Sequence, residues 1–584
     1  MKPTKNIARL AVTAGLTAAL SFGGVMAPVT MAFAEDGSTV PANSITIKQD
    51  EKNKDATNLS KKTQFVAYQI FKAKVVDGTG SGNKVVSDVE WGANVTSDTQ
   101  NAIIAAIQGS AGYDSTNPKL PTENPTAQDV AEWMAANLQS ASGAVNNGDL
   151  LDTIADLVKK TTPAKPKGAD SAGFTADVQV SFENSGYYLF LTDDGSIGAK
   201  NDYSNKRQTG TSPIFTVVGG SAVEVTEKTG IPTVTKKIKD DKPGSGWADK
   251  ADSQAGQNVQ YQLTGTVAEN VASFDTYCYE FHDELSAGLT ANDASIKVYA
   301  GNNRTSAVEI TSGFTHEVKN AENGSGQTLT VKFDNLKTAV TGLASSTKIF
   351  VEYTAQLDPS KAVVVGKTGN ENSVKLVYSN NPMSDGKGES VPDTVRDYTY
   401  ALKLVKVDSV ETTKKIEGVK FTIQATTPDD TSSNGKYVQE KGNLCDTAYE
   451  FTTNGEGEIS VAGLDAGTYT VHEVEGSNPG YNTLADFTFT ITAGGLGKLE
   501  GETLDGNNDP NTLKVTAESG DSTMVTPSAD GGTVTLTVKN KKGSNLPLTG
   551  LNGVTFTWIA GGAVLCIGVA HLIRSRKRDD GSEE

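Results

Sequence analysis

The sequence predicts a mainly β protein built from tandem Ig-like β-sandwich domains, the first of which carries helical insertions. Across the 584 residues, short segments rich in β-branched and aromatic residues alternate with turn-forming Gly, Pro, Asn and Asp. This alternation is typical of β-sandwiches. Helical periodicity appears only in the first domain, and the chain is too long for one hydrophobic core. We therefore expect about three domains.

The composition argues against several function classes. The net charge is −18 and the pI is near 4.9, whereas nucleic-acid binding favours basic faces. The 4 His are scattered, and no Ser-His-Asp arrangement or Gly-rich phosphate loop is present. Asp505, Asn507 and Asp509 have the spacing that opens a calcium loop, but Pro510 stands where that loop needs Gly. No cofactor, metal or nucleic-acid partner is expected, and an enzyme is the weakest hypothesis.

Both ends of the chain carry targeting signals. Basic Lys2, Lys5 and Arg9 precede an apolar stretch that ends at Ala32-Phe33-Ala34, the pattern of a signal-peptidase site. Residues 1–34 are therefore predicted to be a cleaved signal peptide. Near the other end, apolar residues 554–573 are long enough to cross a bilayer and precede a basic tail. The sequence thus predicts an exported protein, held transiently in the membrane.

The domain limits follow from hinges and linkers between strand patterns. Residues 35–230 contain strands and three helix candidates, over residues 97–109, 126–140 and 146–160, with Ser97 and Thr126 as N-caps of the first two. Residues 231–395 and 396–543 each contain several short strands and are predicted to be all-β sandwiches. Residues 544–584 form the C-terminal tail. The 3 Cys, Cys278, Cys445 and Cys566, provide no disulfide framework for any of these units.

In the third domain, strand alternation puts polar residues in line with apolar ones. Lys406 shares a face with Leu402 and Leu404, and in the same way Asn540 and Glu473 each share a face with the apolar residues of their own strands. A Lys alone on a core face would be costly. A Lys, a Glu and an Asn together form a chemical set, although a buried ion pair with a capping Asn is the simpler alternative.

These motifs resemble a known family of domains. "LVKVD", "GLDAGTYTVHEVEGSNPGY" and "TVKNKK" are similar to the opening strand, E-box and closing strand of collagen-adhesin B-type pilin domains. The resemblance implies an internal isopeptide bond between Lys406 and Asn540, formed with loss of ammonia and catalysed by Glu473. Burial would favour a neutral amine and a protonated carboxyl, which could bond to the carboxamide oxygen and relay protons.

The second domain resembles the fimbrial isopeptide-forming D2 domain, an A-type sandwich, through "PTVTKKI", "FHDELSAGLT" and "GNENSVKLVYSNNP". The resemblance implies that Lys236 is the amine and Asp283 the catalytic carboxylate, with Glu280 as the rival. Asn372 and Asn380 share one strand parity. Asn372 is the preferred partner of Lys236, and Asn380 is the alternative.

The first domain carries an incomplete version of these motifs. Aligning Gly186 and Tyr188 of "GYYLFLTDD" with the E-box puts Thr192 at the Glu position, and the last strand, "FTVVGGSAVEV", has no Asn. No internal bond is predicted there. "VEVTEK", which ends at Lys228, resembles the pilin motif V-x-V-Y-P-K, with Thr226-Glu227 in place of Tyr-Pro. Strand parity predicts that Lys228 faces outward.

The C-terminal segment resembles a cell-wall sorting signal of the LPxTG class. The motif is followed by the apolar run and the basic tail, and its residues are Leu546, Pro547, Leu548, Thr549 and Gly550. A sortase thiol would attack the carbonyl of Thr549.

Taken with the domain motifs, the chain resembles the major shaft subunit of a sortase-assembled fimbria of Gram-positive bacteria. The resemblance implies a secreted, peptidoglycan-anchored protein. Its partners would be a class C pilin sortase, a housekeeping sortase, identical subunits, minor or tip pilins, and host receptors. The alternative is a wall-anchored adhesin or tip subunit that binds a host ligand.

Overall fold

The computed structural model describes twelve stretches of the chain. The predicted signal peptide, residues 505–509, the LPLTG segment, the apolar run and the basic tail all lie outside them. Within the described part of the chain, no helix is both long and apolar enough to cross a membrane. The described residues are 43–50, 62–78, 84–115, 119–138, 144–197, 209–322, 324–361, 365, 369–493, 514–518, 520 and 523–543.

The first unit has a three-stranded sheet of order β5-β1-β8 and a five-stranded sheet of order β3-β2-β6-β7, in which β4 pairs with β2. Its strands are β1 (Ser44–Lys48), β2 (Gln64–Asp77), β3 (Lys84–Trp91), β4 (Phe174–Thr175), β5 (Val180–Ser181), β6 (Gly186–Thr192), β7 (Ile214–Val218) and β8 (Val223–Thr226). The first and last strands are parallel neighbours, with Ile45 opposite Val223.

All three expected helices are present in the first unit, as α1 (Ser97–Gln108), α2 (Ala127–Asn137) and α3 (Leu150–Val158). Thr126 is the N-cap of α2, as predicted, and forms a capping box with Asp129. The prediction of Ser97 as N-cap of α1 was wrong by one residue. Thr96 has the extended backbone of a cap and accepts from the Thr99 N–H at 3.3 Å.

The second unit is a sandwich of two larger sheets, of order β10-β9-β12-β18-β14-β15 and β11-β21-β19-β13-β17-β16, with β20 paired to β19. Its elements are β9 (Val234–Lys239), β10 (Trp247–Ala248), β11 (Lys250–Asp252), β12 (Asn258–Thr266), β13 (Tyr279–Ser286), β14 (Leu289–Gly301), β15 (Val308–Ile310), β16 (Thr315–Asn320), β17 (Gly326–Phe333), α4 (Leu336–Ala339), β18 (Lys348–Leu357), β19 (Asn370–Ser379), β20 (Lys387–Glu389) and β21 (Asp393–Tyr398). Strand β21 crosses the expected boundary at 395 because it pairs with β19, Val395 lying opposite Asn372.

The third unit is a sandwich of a four-stranded sheet, β27-β22-β32-β31, and a seven-stranded sheet, β25-β24-β23-β28-β29-β30, with β26 paired to β23. Its strands are β22 (Tyr400–Asp408), β23 (Lys420–Pro428), β24 (Tyr437–Val438), β25 (Leu444–Cys445), β26 (Phe451–Thr452), β27 (Glu458–Leu464), β28 (Gly467–Glu473), β29 (Phe487–Thr492), β30 (Lys514–Glu518), β31 (Val525–Asp530) and β32 (Thr533–Asn540). Its first and last strands, β22 and β32, are again parallel neighbours, with Lys406 opposite Val538. The mainly β, multi-domain fold class is confirmed.

Buried carboxyl groups gather where the second and third units meet. Gln254 joins the two units, because its Oε1 accepts from the Asp465 backbone N–H at 3.2 Å and from the Tyr469 hydroxyl at 3.1 Å. Burial, followed by the charges of neighbouring aspartates, raises the pKa of Asp252 and of Asp465 well above the usual value. Burial also raises the pKa of Asp241 to about 6.

We expect the stability of the Asp241→Asn variant to depend less on pH than the stability of the parent. A carboxyl whose folded-state pKa is raised stabilises the fold at low pH, and this contribution is lost as the pH rises from its unfolded pKa of about 3.9 through its folded pKa. Between about pH 5 and about pH 7.5 the parent should therefore lose about 1.4 kcal/mol of stability that the variant keeps. Denaturant titrations of both proteins at the two pH values measure this. Asp446→Asn, at an exposed site of the third unit, is the control, and equal pH dependence in all three proteins would contradict the prediction.

Candidate functional sites

The third unit brings Lys406, Glu473 and Asn540 into direct contact in its core. The Lys406 Nζ lies 2.9 Å from Glu473 Oε2 and 2.5 Å from Asn540 Oδ1. The Asn540 Nδ2 donates to Glu473 Oε1 at 2.7 Å. Each side chain is at most 1% exposed. Strands β22 and β32 supply the amine and the amide within one sheet, and β28 supplies the carboxyl from the opposite sheet.

The surroundings of the Lys406 amine favour its neutral form. Burial lowers the pKa of Lys406 to about 8, although the Glu473 carboxyl opposes this shift. The amine also lies 5.3 Å from the centre of the Phe421 ring. An amine with a pKa near 8 releases its proton to a neighbouring carboxyl more readily than an ordinary lysine does, and the neutral amine is the nucleophile.

The amide points differently from the sequence-based expectation. We expected Glu473 to bond to the carboxamide oxygen of Asn540, but in the structure the carboxyl faces the amide nitrogen and the oxygen faces Lys406. Glu473 therefore bridges two nitrogens, first the Lys406 Nζ, which would attack, and second the Asn540 Nδ2, which would leave. In this position one carboxyl group could accept a proton from the first and deliver it to the second.

Two neighbours that the sequence analysis missed hold Glu473 in place. The Asn478 amide donates to Glu473 Oε1 at 3.3 Å, and the Leu484 backbone N–H donates to Oε2 at 3.3 Å. Tyr481, which follows Asn478 in the E-box, donates its hydroxyl proton to Asp408 at 2.9 Å. Because Asp408 closes the "LVKVD" motif, this bond ties the E-box turn to the strand that carries the lysine.

The second unit buries Lys236 against Asp283. The Lys236 Nζ lies 2.5 Å and 2.6 Å from the two carboxylate oxygens, and neither side chain is exposed to solvent. Burial lowers the pKa of Lys236 to about 8 and raises the pKa of Asp283. Glu280, the rival carboxylate, lies apart from this pair and bonds instead to the His282 Nε2 at 2.7 Å.

The two asparagine candidates for the second unit lie in different places. Asn372 is fully buried in β19, and its Nδ2 donates to the Tyr353 hydroxyl at 2.6 Å. That hydroxyl lies 3.1 Å from the Lys236 Nζ. Asn380 follows the end of β19, and its backbone carbonyl accepts from the Gly210 N–H of the first unit. The structure therefore groups Asn372, and not Asn380, with the buried pair.

Tyr353 is the residue of this site that the sequence analysis missed. Its hydroxyl donates to Asp283 Oδ2 at 2.6 Å and accepts from the Asn372 amide. Its ring stacks on Tyr261 with centroids 5.3 Å apart, and the Lys236 Nζ lies 5.3 Å from each ring centre. The only sequence signal was its parity in "KIFVEYTAQL", which places Tyr353 on the same face as the apolar Val351 and Ala355.

The first unit shares with the third the parallel pairing of its first and last strands, but its described residues do not bring a buried lysine, carboxyl and asparagine together. Tyr188 donates its hydroxyl proton to the Asn184 carbonyl at 2.6 Å, just as Tyr469 of the third unit donates to the carbonyl four residues before it. Thr192 is buried at the Glu position and accepts from the Thr211 N–H at 2.8 Å. Lys48, the lysine of β1, has a side chain that is 43% exposed. That no internal bond forms in the first unit stays a prediction.

Lys228 lies where the first unit meets the second and is half-buried rather than fully exposed. Its backbone N–H donates to Thr211 Oγ1 at 2.8 Å, and its carbonyl accepts from the Asn270 amide of the second unit at 3.2 Å. Burial lowers the pKa of Lys228, while the charges of Asp50 and Glu269 oppose this effect. Lys237, another lysine near the start of the second unit, is ion-paired with Asp249.

The fold and the buried groups define a class: a chain of β domains, two of which enclose a lysine, a carboxyl group and an asparagine. Within it, residues 400–504 match the family model described as the SpaA prealbumin-like fold domain. This segment includes Lys406 and Glu473 and ends before Asn540. No curated protein sequence matches the chain.

Solved structures similar to the chain include the T6 backbone pilin of serotype M6 Streptococcus pyogenes, at 16% identity and a TM-score of 0.46, covering 87% of this chain and 100% of that one. The full-length major pilin SpaD from Corynebacterium diphtheriae matches at 15% identity and a TM-score of 0.41, covering 86% and 98%. The pilus backbone RrgB from Streptococcus pneumoniae matches at 14% identity and a TM-score of 0.33, covering 53% and 100%.

Proposed function

We propose that this chain is the major, shaft-forming subunit of a covalent pilus. In this proposal, a class C pilin sortase joins Thr549 of one subunit to Lys228 of the next, and a housekeeping sortase attaches the finished polymer to peptidoglycan. The protein has no catalytic turnover of its own. Its one reaction is the formation of an internal isopeptide bond in each of the second and third domains.

The observation that carries the proposal is the Lys406–Glu473–Asn540 cluster. If these three groups formed only an ion pair with a neighbouring amide, burying them in an apolar core would cost free energy. They are well placed for a reaction that removes the charge, since the lysine and the asparagine would become one neutral amide. Covalent bracing of this kind suits an exported protein whose described cysteines, Cys278 and Cys445, are both free.

The proposed polymerisation is tested by immunoblotting cell-wall extracts of the native host. A shaft subunit should give a ladder of high-mass bands that survives boiling in detergent, because each junction is an amide bond. A single wall-linked band of monomer mass would instead indicate the adhesin or tip subunit. Purified pili should also yield a peptide in which Thr549 is joined to a lysine.

The proposed sorting signal gives a separate prediction. Deleting residues 546–584 should release the protein into the medium, because the sortase motif, the apolar run and the basic tail are lost together. The measurement is the share of protein in the medium and in the wall fraction. A control that replaces only Thr549 with Ala keeps the membrane-retention signal and should leave the protein in the membrane fraction. Truncated protein that remained covalently bound to the wall would rule out this sorting route.

A further inference from the structure

The two buried clusters differ in how the carboxyl reaches the amide. In the third unit, Glu473 contacts both the Lys406 amine and the Asn540 amide nitrogen directly. In the second unit, Asp283 has one methylene fewer, and the Tyr353 hydroxyl stands between its carboxyl and the Asn372 amide nitrogen. The two bonds through Tyr353 are both 2.6 Å long. An aspartate and a tyrosine therefore span the gap that a single glutamate spans in the third unit.

We propose that Tyr353 is a catalytic residue for the Lys236–Asn372 bond and carries the proton between Asp283 and the leaving amide nitrogen. This inference rests on the internal bonds proposed above. Its hydroxyl contacts both reacting nitrogens, at 3.1 Å from Lys236 Nζ and 2.6 Å from Asn372 Nδ2. A hydroxyl can accept one proton while it donates another, which is the property that a relay needs.

The proposed step balances without any further reactant. The Lys236 amine, in its neutral form, attacks the Asn372 Cγ, the new Nζ–Cγ bond forms, and the Cγ–Nδ2 bond breaks to release ammonia. One proton leaves Nζ for the Asp283 carboxyl, and the Tyr353 hydroxyl gives its own proton to Nδ2. The carboxyl then returns a proton to the Tyr353 oxygen, so both groups end in their starting protonation states.

The fold fixes Tyr353 for this role. Its strand, β18, lies in the sheet that carries Lys236, and its side chain crosses the core to Asp283 and Asn372 in the opposite sheet. Stacking on Tyr261, its cross-strand partner, holds the ring in place. Burial and the Asp283 charge raise the pKa of Tyr353 well above the usual value, so the hydroxyl keeps its proton until it is transferred.

The test uses the Tyr353→Phe variant, which keeps the ring and removes the hydroxyl. We expect the bond between Lys236 and Asn372 to form at least about a hundredfold more slowly in this variant, which is the usual effect of losing a general acid–base group. The intact variant should therefore be heavier than the parent by the mass of one ammonia, and peptide mapping should find the third-unit bond still present. Tyr279→Phe is the matched control, because it removes a buried hydroxyl from the same core that bonds to the Thr266 carbonyl instead.

A double variant separates the relay from a structural role. Asp283→Glu in the Tyr353→Phe background introduces the longer side chain that the third unit uses and should recover the Lys236–Asn372 bond. A purely structural defect would not respond to this change. Full linkage in Tyr353→Phe at the parent's rate, or a folded double variant no faster than the single variant, would overturn the role of Tyr353. Absence of the Lys236–Asn372 bond in the parent would instead overturn the proposed bond itself.

Discussion

Replacing Glu473 with Ala should leave the third domain without its internal bond. The parent chain, after removal of the signal peptide, should weigh two ammonia molecules less than its sequence, one for each bond. The variant should lack only one ammonia, because the second unit contains its own carboxyl, Asp283. Intact mass spectrometry of the two proteins measures this difference directly, and a parent without any mass deficit would exclude both bonds.

The loss of this bond should have a large effect on stability and on mechanics. Lys406 and Asn540 are 134 residues apart, and the loop-entropy model for cross-links gives about 5 kcal/mol for closing such a loop. Because the two residues lie on parallel neighbouring strands at the start and end of the unit, a pulling force would pass from one strand to the other through the bond. Pulling the variant should therefore release about 134 residues, roughly 450 Å of extended chain, which the parent should retain.

Two further variants identify the cause of the change. Asn540→Ala removes the amide but keeps the Lys406–Glu473 ion pair, so it should lose the bond while leaving no buried charge unpaired. Glu473→Ala should be the less stable of the two by a few kcal/mol, because an uncompensated buried group is costly. Glu475→Ala, at an exposed position two residues away, should behave like the parent.

Strand parity predicted much of the site because the polar groups lie on regular strands. In a strand, alternate side chains share a face, so Lys406 in line with Leu402 and Leu404 had to point into the core. The helices were predictable for a similar reason, and the error at Ser97 is the usual uncertainty between neighbouring cap-forming residues. The boundary at 395 was less predictable, because the pairing of β21 with β19 is a contact between segments separated by a turn-rich linker.

Other features of the site could not be read from the sequence. Parity places Asn372 and Asn380 on the same face but does not show where the strand ends. In the structure β19 ends at Ser379, so Asn372 lies within the strand and Asn380 lies beyond it. Tyr353 was missed because its role depends on contacts with Lys236 and Asp283, which lie 117 and 70 positions away in the sequence. The half-burial of Lys228 was also unpredictable, since it depends on how the second unit packs against the end of the first.

The second large effect is expected at Lys228, the proposed acceptor. Lys228→Ala in the native host should abolish the high-mass ladder while leaving a folded, wall-linked monomer with both internal bonds. The half-buried position supports this assignment, because burial lowers the pKa of the amine and so raises the neutral fraction that can attack an acyl–sortase. The backbone contacts of Lys228 with Thr211 and Asn270 do not involve its side chain and should survive the substitution.

Lys228→Arg is the informative control, because it keeps the positive charge beside Asp50 and Glu269 but cannot be deprotonated to a nucleophile. If the lysine acts chemically, Arg should abolish the ladder as completely as Ala does. If its charge merely helps the sortase to dock, Arg should retain most of the ladder and Ala should not. Lys237→Ala should polymerise normally, because Lys237 is held in an ion pair with Asp249. Ladders that persist in both Lys228 variants, with Thr549 joined to another lysine, would move the acceptor elsewhere and leave the shaft function standing.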